Sequence, residues 1–133
     1  MKKLIVILCL LNIVIFLIFL YYMHQQNDNA NLRKSAEQGN AEAQSGLGLV
    51  YKYGLGVEQS YVEAFKWFYK AAEQEYAPAQ WCLGMCYERG EGVEQNDAKA
   101  MKWYRKSAEQ GFAPAQRHLD LFYANGKGVK QLE

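Results

Sequence analysis

The sequence predicts an all-α protein in which an array of helical repeats follows one N-terminal apolar helix. Three observations carry this. The stretch Ala43 to Gln74 returns 36 residues later as Ala79 to Gln110, and laying 40–75 on 76–111 gives identity at 18 of 36 positions. Within each copy, apolar residues recur at the spacing of one buried helical face. Leu4 to Tyr22 is a run of 19 residues whose only strongly polar member is Asn12.

That run comes first in the chain. As a helix rising about 1.5 Å per residue it reaches roughly 28 Å, close to the hydrocarbon thickness of a bilayer. A cleaved signal has a shorter apolar core, about 7–15 residues, and ends at small residues. Here Tyr21, Tyr22, Met23, His24, Gln25 and Gln26 follow the run, and Ala30 has Asp28 where a small residue is required. Cys9 follows Leu8, where lipoprotein processing requires Gly or Ala. An uncleaved signal-anchor helix over 4–22 is therefore expected. Lys2, Lys3 and the amino terminus place the positive flank before the span, and Tyr21 and Tyr22 anchor the far interface. Residues 1–3 are thus expected in the cytoplasm and the repeats outside it, periplasmic in a Gram-negative cell. Arg33 and Lys34 pull the other way. Residues 23–30, polar and rich in Asn and Gln, read as a short tether, and 31–131 as the repeat domain.

Arg33 to Gly39 is identical to Arg105 to Gly111, and 112–131 shares ten of twenty positions with 76–95. The array therefore reads half, one, one, half, with full repeats at 40–75 and 76–111 and a partial one at 112–131. Asn31 to Gln38 forms the end of a helix B, stopped by Gly39, with Asn40 capping the next helix. Helix A of the first repeat runs from about Ala41 to Tyr53 and turns Ala43, Leu47, Val50 and Tyr51 to one face. Gly48 costs such a helix about 1 kcal/mol relative to alanine, so its return as Gly84 predicts an approach too close for a Cβ.

Gly54-Leu55-Gly56-Val57 is a turn that recurs at Gly90 and Gly126. Ser60, with Glu63 three residues on, caps helix B, and Asn96 is the equivalent cap. Helix B, about Tyr61 to Gln74, points Ala64, Trp67, Phe68, Ala71 and Ala72 inward; Ala100, Trp103, Tyr104, Ser107 and Ala108 do the same later. Pro78 and Pro114, the only prolines, fall in the first turn of a helix A. The last helix, about Ala113 to Asn125, and the turn Gly126 to Val129 read as a C-terminal cap. Asp120 stands where Gly48 and Gly84 stood, which fits a face that no following helix covers.

The pattern AQxxLGxxYxxGxGV followed by AxxWxxxxAEQ resembles the Sel-one-like repeat, a relative of the tetratricopeptide repeat. The resemblance covers about Asn31 to Gln131. It implies a right-handed α-solenoid of antiparallel helix pairs, with helices A lining a concave binding face. Three columns vary there: Ser45, Trp81 and Arg117; Leu49, Met85 and Leu121; Lys52, Glu88 and Ala124. Trp81 beside Met85, rimmed by Arg89 and Arg117, has the composition of a protein-binding hot spot. The protein-binding candidates are therefore Ser45, Leu49, Lys52, Trp81, Met85, Glu88, Arg89 and Arg117. The competing reading of Trp81 is packing against the neighbouring repeat.

The formal net charge is +1 and the basic residues are dispersed, so no nucleic-acid footprint appears. Cys82 and Cys86 stand i, i+4, where Cβ atoms lie about 5–6 Å apart, too far for a disulfide. With His118 they form a conceivable metal trio, but Cys86 aligns with Val50 and Phe122, which are core types. No metal or cofactor is expected. No serine has lysine three residues on, and threonine is absent from the chain. Some cysteine-rich secreted relatives carry a β-lactamase label, yet this chain has neither their cysteine spacing nor serine-lysine motifs. The expected function is a membrane-anchored scaffold that binds a protein or peptide and is not an enzyme. A soluble effector released by signal cleavage is the alternative. Self-association through the incomplete final repeat is a further expectation, because about three repeats are needed for stability.

Overall fold

A computed structural model describes residues 1–127. It contains six helices: α1 (Lys2–Glu37), α2 (Ala41–Tyr53), α3 (Tyr61–Glu73), α4 (Ala77–Arg89), α5 (Asp97–Glu109) and α6 (Ala113–Ala124). Each packs on its successor. Connections of three residues (38–40, 74–76, 110–112) alternate with connections of seven (54–60, 90–96), so neighbours run antiparallel. All the long Gly-x-Gly connections therefore lie at one end of the stack. The pairs α2/α3 and α4/α5 are the full repeats, α1 ends in the position of a preceding helix B, and α6 takes that of a following helix A.

The stretch 23–30, expected as a short tether, has helical form. It is the middle of α1, which runs unbroken from Lys2 to Glu37. Residues 1–38 contain neither Gly nor Pro to stop it. The polar side chains also have a structural task. Gln26 Nε2 donates to Gly56 O at 3.2 Å and Asn29 Nδ2 to Leu55 O at 2.7 Å, satisfying carbonyls of the first long loop.

Two clusters form the core. The first joins Ala36 and Leu32 of α1 to Leu47, Val50 and Trp67. The second gathers Phe68, Leu83, Cys86, Tyr104, Leu119 and Phe122, with small residues between them. Of the expected inward positions, Ala64, Trp67, Phe68, Ala71, Ala72, Ala100, Trp103, Tyr104 and Ser107 are buried, and Ala108 is partly buried against the same core. The recurrent glycines explain how the aromatics fit. A Cβ on Gly48 would lie 2.5 Å from the Phe68 ring, and one on Gly84 2.6 Å from the Tyr104 ring. What approaches the glycine is an aromatic ring of the following helix, laid on the backbone.

Caps fix the ends. Asn40, Ser60 and Asn96 accept from the amides of Ala43, Glu63 and Lys99 at 2.8, 3.2 and 3.0 Å. The box at Ser60 is only half made, because the Glu63 carboxylate turns to Lys66 Nζ at 2.8 Å. Gly54 and Gly90 end α2 and α4 at φ 64° and 68°, and donate to Val50 O and Cys86 O. Glu75 holds φ 60° where the other units have Gly39 and Gly111, a conformation costing an L-residue about 1–2 kcal/mol. Its carboxylate accepts from Gln80 Nε2 at 3.2 Å. Of the expected terminal turn, Gly126 has φ 70°, while Gly128 and Val129 lie outside the described residues.

The recurring Ala-Gln and Glu-Gln pairs form a clamp. Buried Gln44 and Gln80 donate to Ala36 O and Ala72 O, carbonyls near the end of the preceding helix B, at 3.1 and 3.4 Å. Gln74 and Gln110 close the clamp by donating to Gln44 Oε1 and Gln80 Oε1 at 2.9 and 2.8 Å.

Replacing Gly84 by alanine forces a methyl into the buried Tyr104 ring. Gly84→Ala should therefore lose about 1–3 kcal/mol in denaturant unfolding despite its better helix propensity. Gly46→Ala is the control. Its Cβ would meet Leu32 at an ordinary 3.4 Å, so it should be neutral or gain up to about 1 kcal/mol.

Candidate protein-binding face

The structure divides the eight candidate residues into those free to meet a partner and those already engaged. Leu49, at 39% relative exposure, stands open on α2, as do Arg89 and Arg117 at the ends of the proposed stripe. Ser45, Met85 and Lys52 are buried, at 5, 8 and 8% relative exposure, and present little surface of their own. Their variation between repeats reflects different neighbours, not open positions.

Trp81 is half-buried and packs on the next unit. Its Nε1 donates to His118 Nδ1 at 2.9 Å, and its ring meets Phe112 and His118 edge-on at 5.8 and 5.7 Å. The indole is only a donor, so Nδ1 accepts in this contact, and the same nitrogen lies 3.2 Å from the Pro114 carbonyl oxygen. The same imidazole stacks on Tyr104 at 5.0 Å. Trp81 is thus a joint between the second repeat and α6. No recurrence in the sequence paired it with His118. The Trp81 column holds Ser45 and Arg117 in the other copies, and the His118 column holds Gly46 and Cys82, so the contact is made once.

Lys52 and Glu88 bind between repeats. Lys52 Nζ lies 3.2 Å from Glu91 in the second long loop, which also attracts Arg89 at 3.8 Å. The Lys52 contact is electrostatic, since Glu91 Oε2 sits outside hydrogen-bonding geometry. One repeat further on, Glu88 meets Lys127 at 3.4 Å and accepts from the Tyr104 hydroxyl at 2.7 Å. Burial, and then the bond to Glu88, push the Tyr104 hydroxyl above its ordinary range. The two ion pairs occupy the same register with opposite sign.

Cys82 and Cys86 are buried. Burial raises Cys82 from 9.0 to about 11 and Cys86 to about 12, partly offset by the nearby Lys52. Both thiols therefore stay protonated at neutral pH, which disfavours thiolate nucleophile chemistry. Among the described residues no group of three His, Cys, Asp or Glu side chains is placed to hold a metal ion.

These features define an α-helical repeat protein of the tetratricopeptide-like kind. The Sel1 repeat model matches residues 41–76 and 77–112, and the chain belongs to this family. Among solved structures, it is similar to a Sel1 repeat protein from Oxalobacter formigenes, with 38% identity and a TM-score of 0.72 over 84% of this chain and 45% of that one. It is similar to a protective antigen of uropathogenic Escherichia coli with an SLR fold, at 42% identity and a TM-score of 0.71, covering 74% of this chain and 21% of that one. The third is cysteine rich protein B of Helicobacter pylori, at 25% identity and a TM-score of 0.68 over 71% of each chain. The chain thus spans less than half the length of the first two. No curated protein matches it.

The reversed ion pairs give a direct test of register. Lys52→Glu leaves two carboxylates facing across the first joint and should cost on the order of 2–3 kcal/mol, below a fully dry pair because Glu91 keeps some exposure. The swap Lys52→Glu with Glu91→Lys should recover most of that loss in a double-mutant cycle. Additive losses would mean that the pair does not couple.

Proposed function

We propose that this protein is a membrane-anchored scaffold that holds a protein or peptide on the helix-A face of a short Sel1 solenoid outside the cytoplasm. Sel1 repeats are protein-interaction modules, and the chain has one helix long and apolar enough to cross a membrane. The observation that carries the reading is the division of α1. Leu4 to Tyr22 contacts nothing in the protein, whereas Leu32 and Ala36 are built into the first core. An apolar surface of that size needs a bilayer. Signal cleavage near Ala30 would remove Gln26 and Asn29, which hold the first loop, and this favours an anchor over a released effector.

Partner contact on this reading falls to Leu49, Arg89 and Arg117, with Glu88 and the free edge of Trp81 between them. Ser45, Met85 and Lys52 support them from beneath. Confinement to the bilayer raises the local concentration of a partner in the same membrane. Leu121, 60% exposed on α6, is the residue through which self-association would occur.

The test places a photo-crosslinking residue at Leu49, Arg89 or Arg117 in membrane-bound full-length protein, with Lys66 and Lys102 on helices B as controls. Discrete adducts are expected from the first three positions only, and Arg117→Glu should weaken adduct formation at Leu49. Repeats digested by protease outside spheroplasts would support the orientation. Equal adducts from both faces, or a shorter soluble chain, would refute the reading.

A further inference from the structure

Outside α1, four exposed large apolar residues gather at one place: Tyr53, Leu55, Tyr61 and Val62, at 62, 46, 43 and 53% exposure. They flank the first long loop, at the end of α2 and the start of α3. The next repeat carries Arg89, Glu91, Asp97 and Ala98 at the same four positions, and the last carries Asn125 and Lys127 at the first two. The apolar character is therefore not a requirement of the fold. It belongs to the first repeat alone.

The first repeat is also the one beside the membrane helix. Gly56 packs on α1, where a Cβ would meet Asn29 at 2.8 Å and Gln25 at 3.3 Å. The equivalent Gly92 packs on the start of α3, where a Cβ would meet Tyr61 O at 2.2 Å. Gln25 is thus the counterpart, 36 residues earlier, of Tyr61. Helix-B starts define the base of the solenoid, and on α1 that level comes three residues after Tyr22. Three residues of helix rise about 4.5 Å. The headgroup layer beyond the hydrocarbon is about 5–7 Å deep.

We infer that Tyr53, Leu55, Tyr61 and Val62 form a second membrane contact, a lateral foot that rests in the lipid headgroup layer beside the span. The inference rests on the reading of α1 as a transmembrane helix. Tyrosine with short aliphatic neighbours suits that depth, because the ring enters the apolar boundary while the hydroxyl stays hydrated. Glu58 is the exposed charge in the loop, and Lys52 is occupied by Glu91. No basic cluster lines the foot, so contact depends on apolar insertion and tolerates salt and zwitterionic lipid. The foot fixes which way the solenoid leans and turns its polar second and third loops away from the lipid.

The experiment uses full-length protein in phosphatidylcholine vesicles, with an environment-sensitive fluorophore on Leu55→Cys or, separately, on Glu91→Cys. Quenching by lipids spin-labelled near the headgroup should be several-fold greater at position 55 than at 91 and should persist at high salt. The exposed substitutions Tyr53→Arg and Tyr61→Asp, which install the second repeat's residues, should reduce quenching at 55 to the level at 91. Resistance of the chain to carbonate extraction reads the anchor separately. An extraction-resistant protein with equal, weak quenching at both sites would overturn the foot alone. A blue-shifted but unquenched probe at 55 would also overturn it, by showing a protein occupant. Extractable protein would overturn the anchor itself.

Discussion

Helix A of each full repeat packs between two helices B, and for the first repeat the preceding one is the end of α1, the helix that also carries the apolar run Leu4 to Tyr22. Without the last turns of α1, Leu47 and Val50 would lose Leu32 and Ala36, and Gln44 would lose the carbonyl it binds. A buried amide left unpaired costs about 1–3 kcal/mol. Residues 23–30 are tied to the repeats as well, through Gln26 and Asn29 on the carbonyls of Gly56 and Leu55. The apolar run and the first cover of the repeats share one helix, so the direction in which that run leaves the repeats is set by how α1 docks on α2.

The stack beyond that point is held by contacts that differ in what they specify. Apolar packing of Phe68 on Gly48 and of Tyr104 on Gly84 supplies cohesion, and it is nearly the same in both repeats. The glutamine clamps also repeat. The ion pairs do not, because Lys52 with Glu91 is followed by Glu88 with Lys127. A unit displaced by one repeat would bring Glu88 to Glu91. The alternation adds little to cohesion but penalises a misplaced unit, since unpaired buried charge is expensive.

Much of the fold was legible in the sequence, because a 36-residue period exposes each structural position twice. Caps at Asn40, Ser60 and Asn96, the inward face of helix B and the tight approach at Gly48 and Gly84 were all visible as recurrences. The helical form of 23–30 was hidden for a physical reason. Asn and Gln at 23–30 look solvated in a sequence, and nothing local shows that two of them bind loop carbonyls 26 and 30 residues away. The exposed surface of helices A was only partly legible. Variation at Ser45, Met85 and Lys52 resembled surface freedom, whereas these side chains meet different neighbours in a short array whose two ends are unlike. Trp81 divided the same way, and its bond to His118 places it in the joint.

The central claim is that α1 is one rigid helix from the bilayer to the first core. Hydrogen exchange across residues 23–30 of the full-length protein in vesicles tests it most directly, because a helix docked on Leu55 and Gly56 holds its amides while a linker does not. The account predicts slow exchange through this stretch, comparable with that of α2 and faster only when Gln26 and Asn29 are replaced by alanine. Exchange at the rate of an unstructured chain, with α2 still protected, would contradict it.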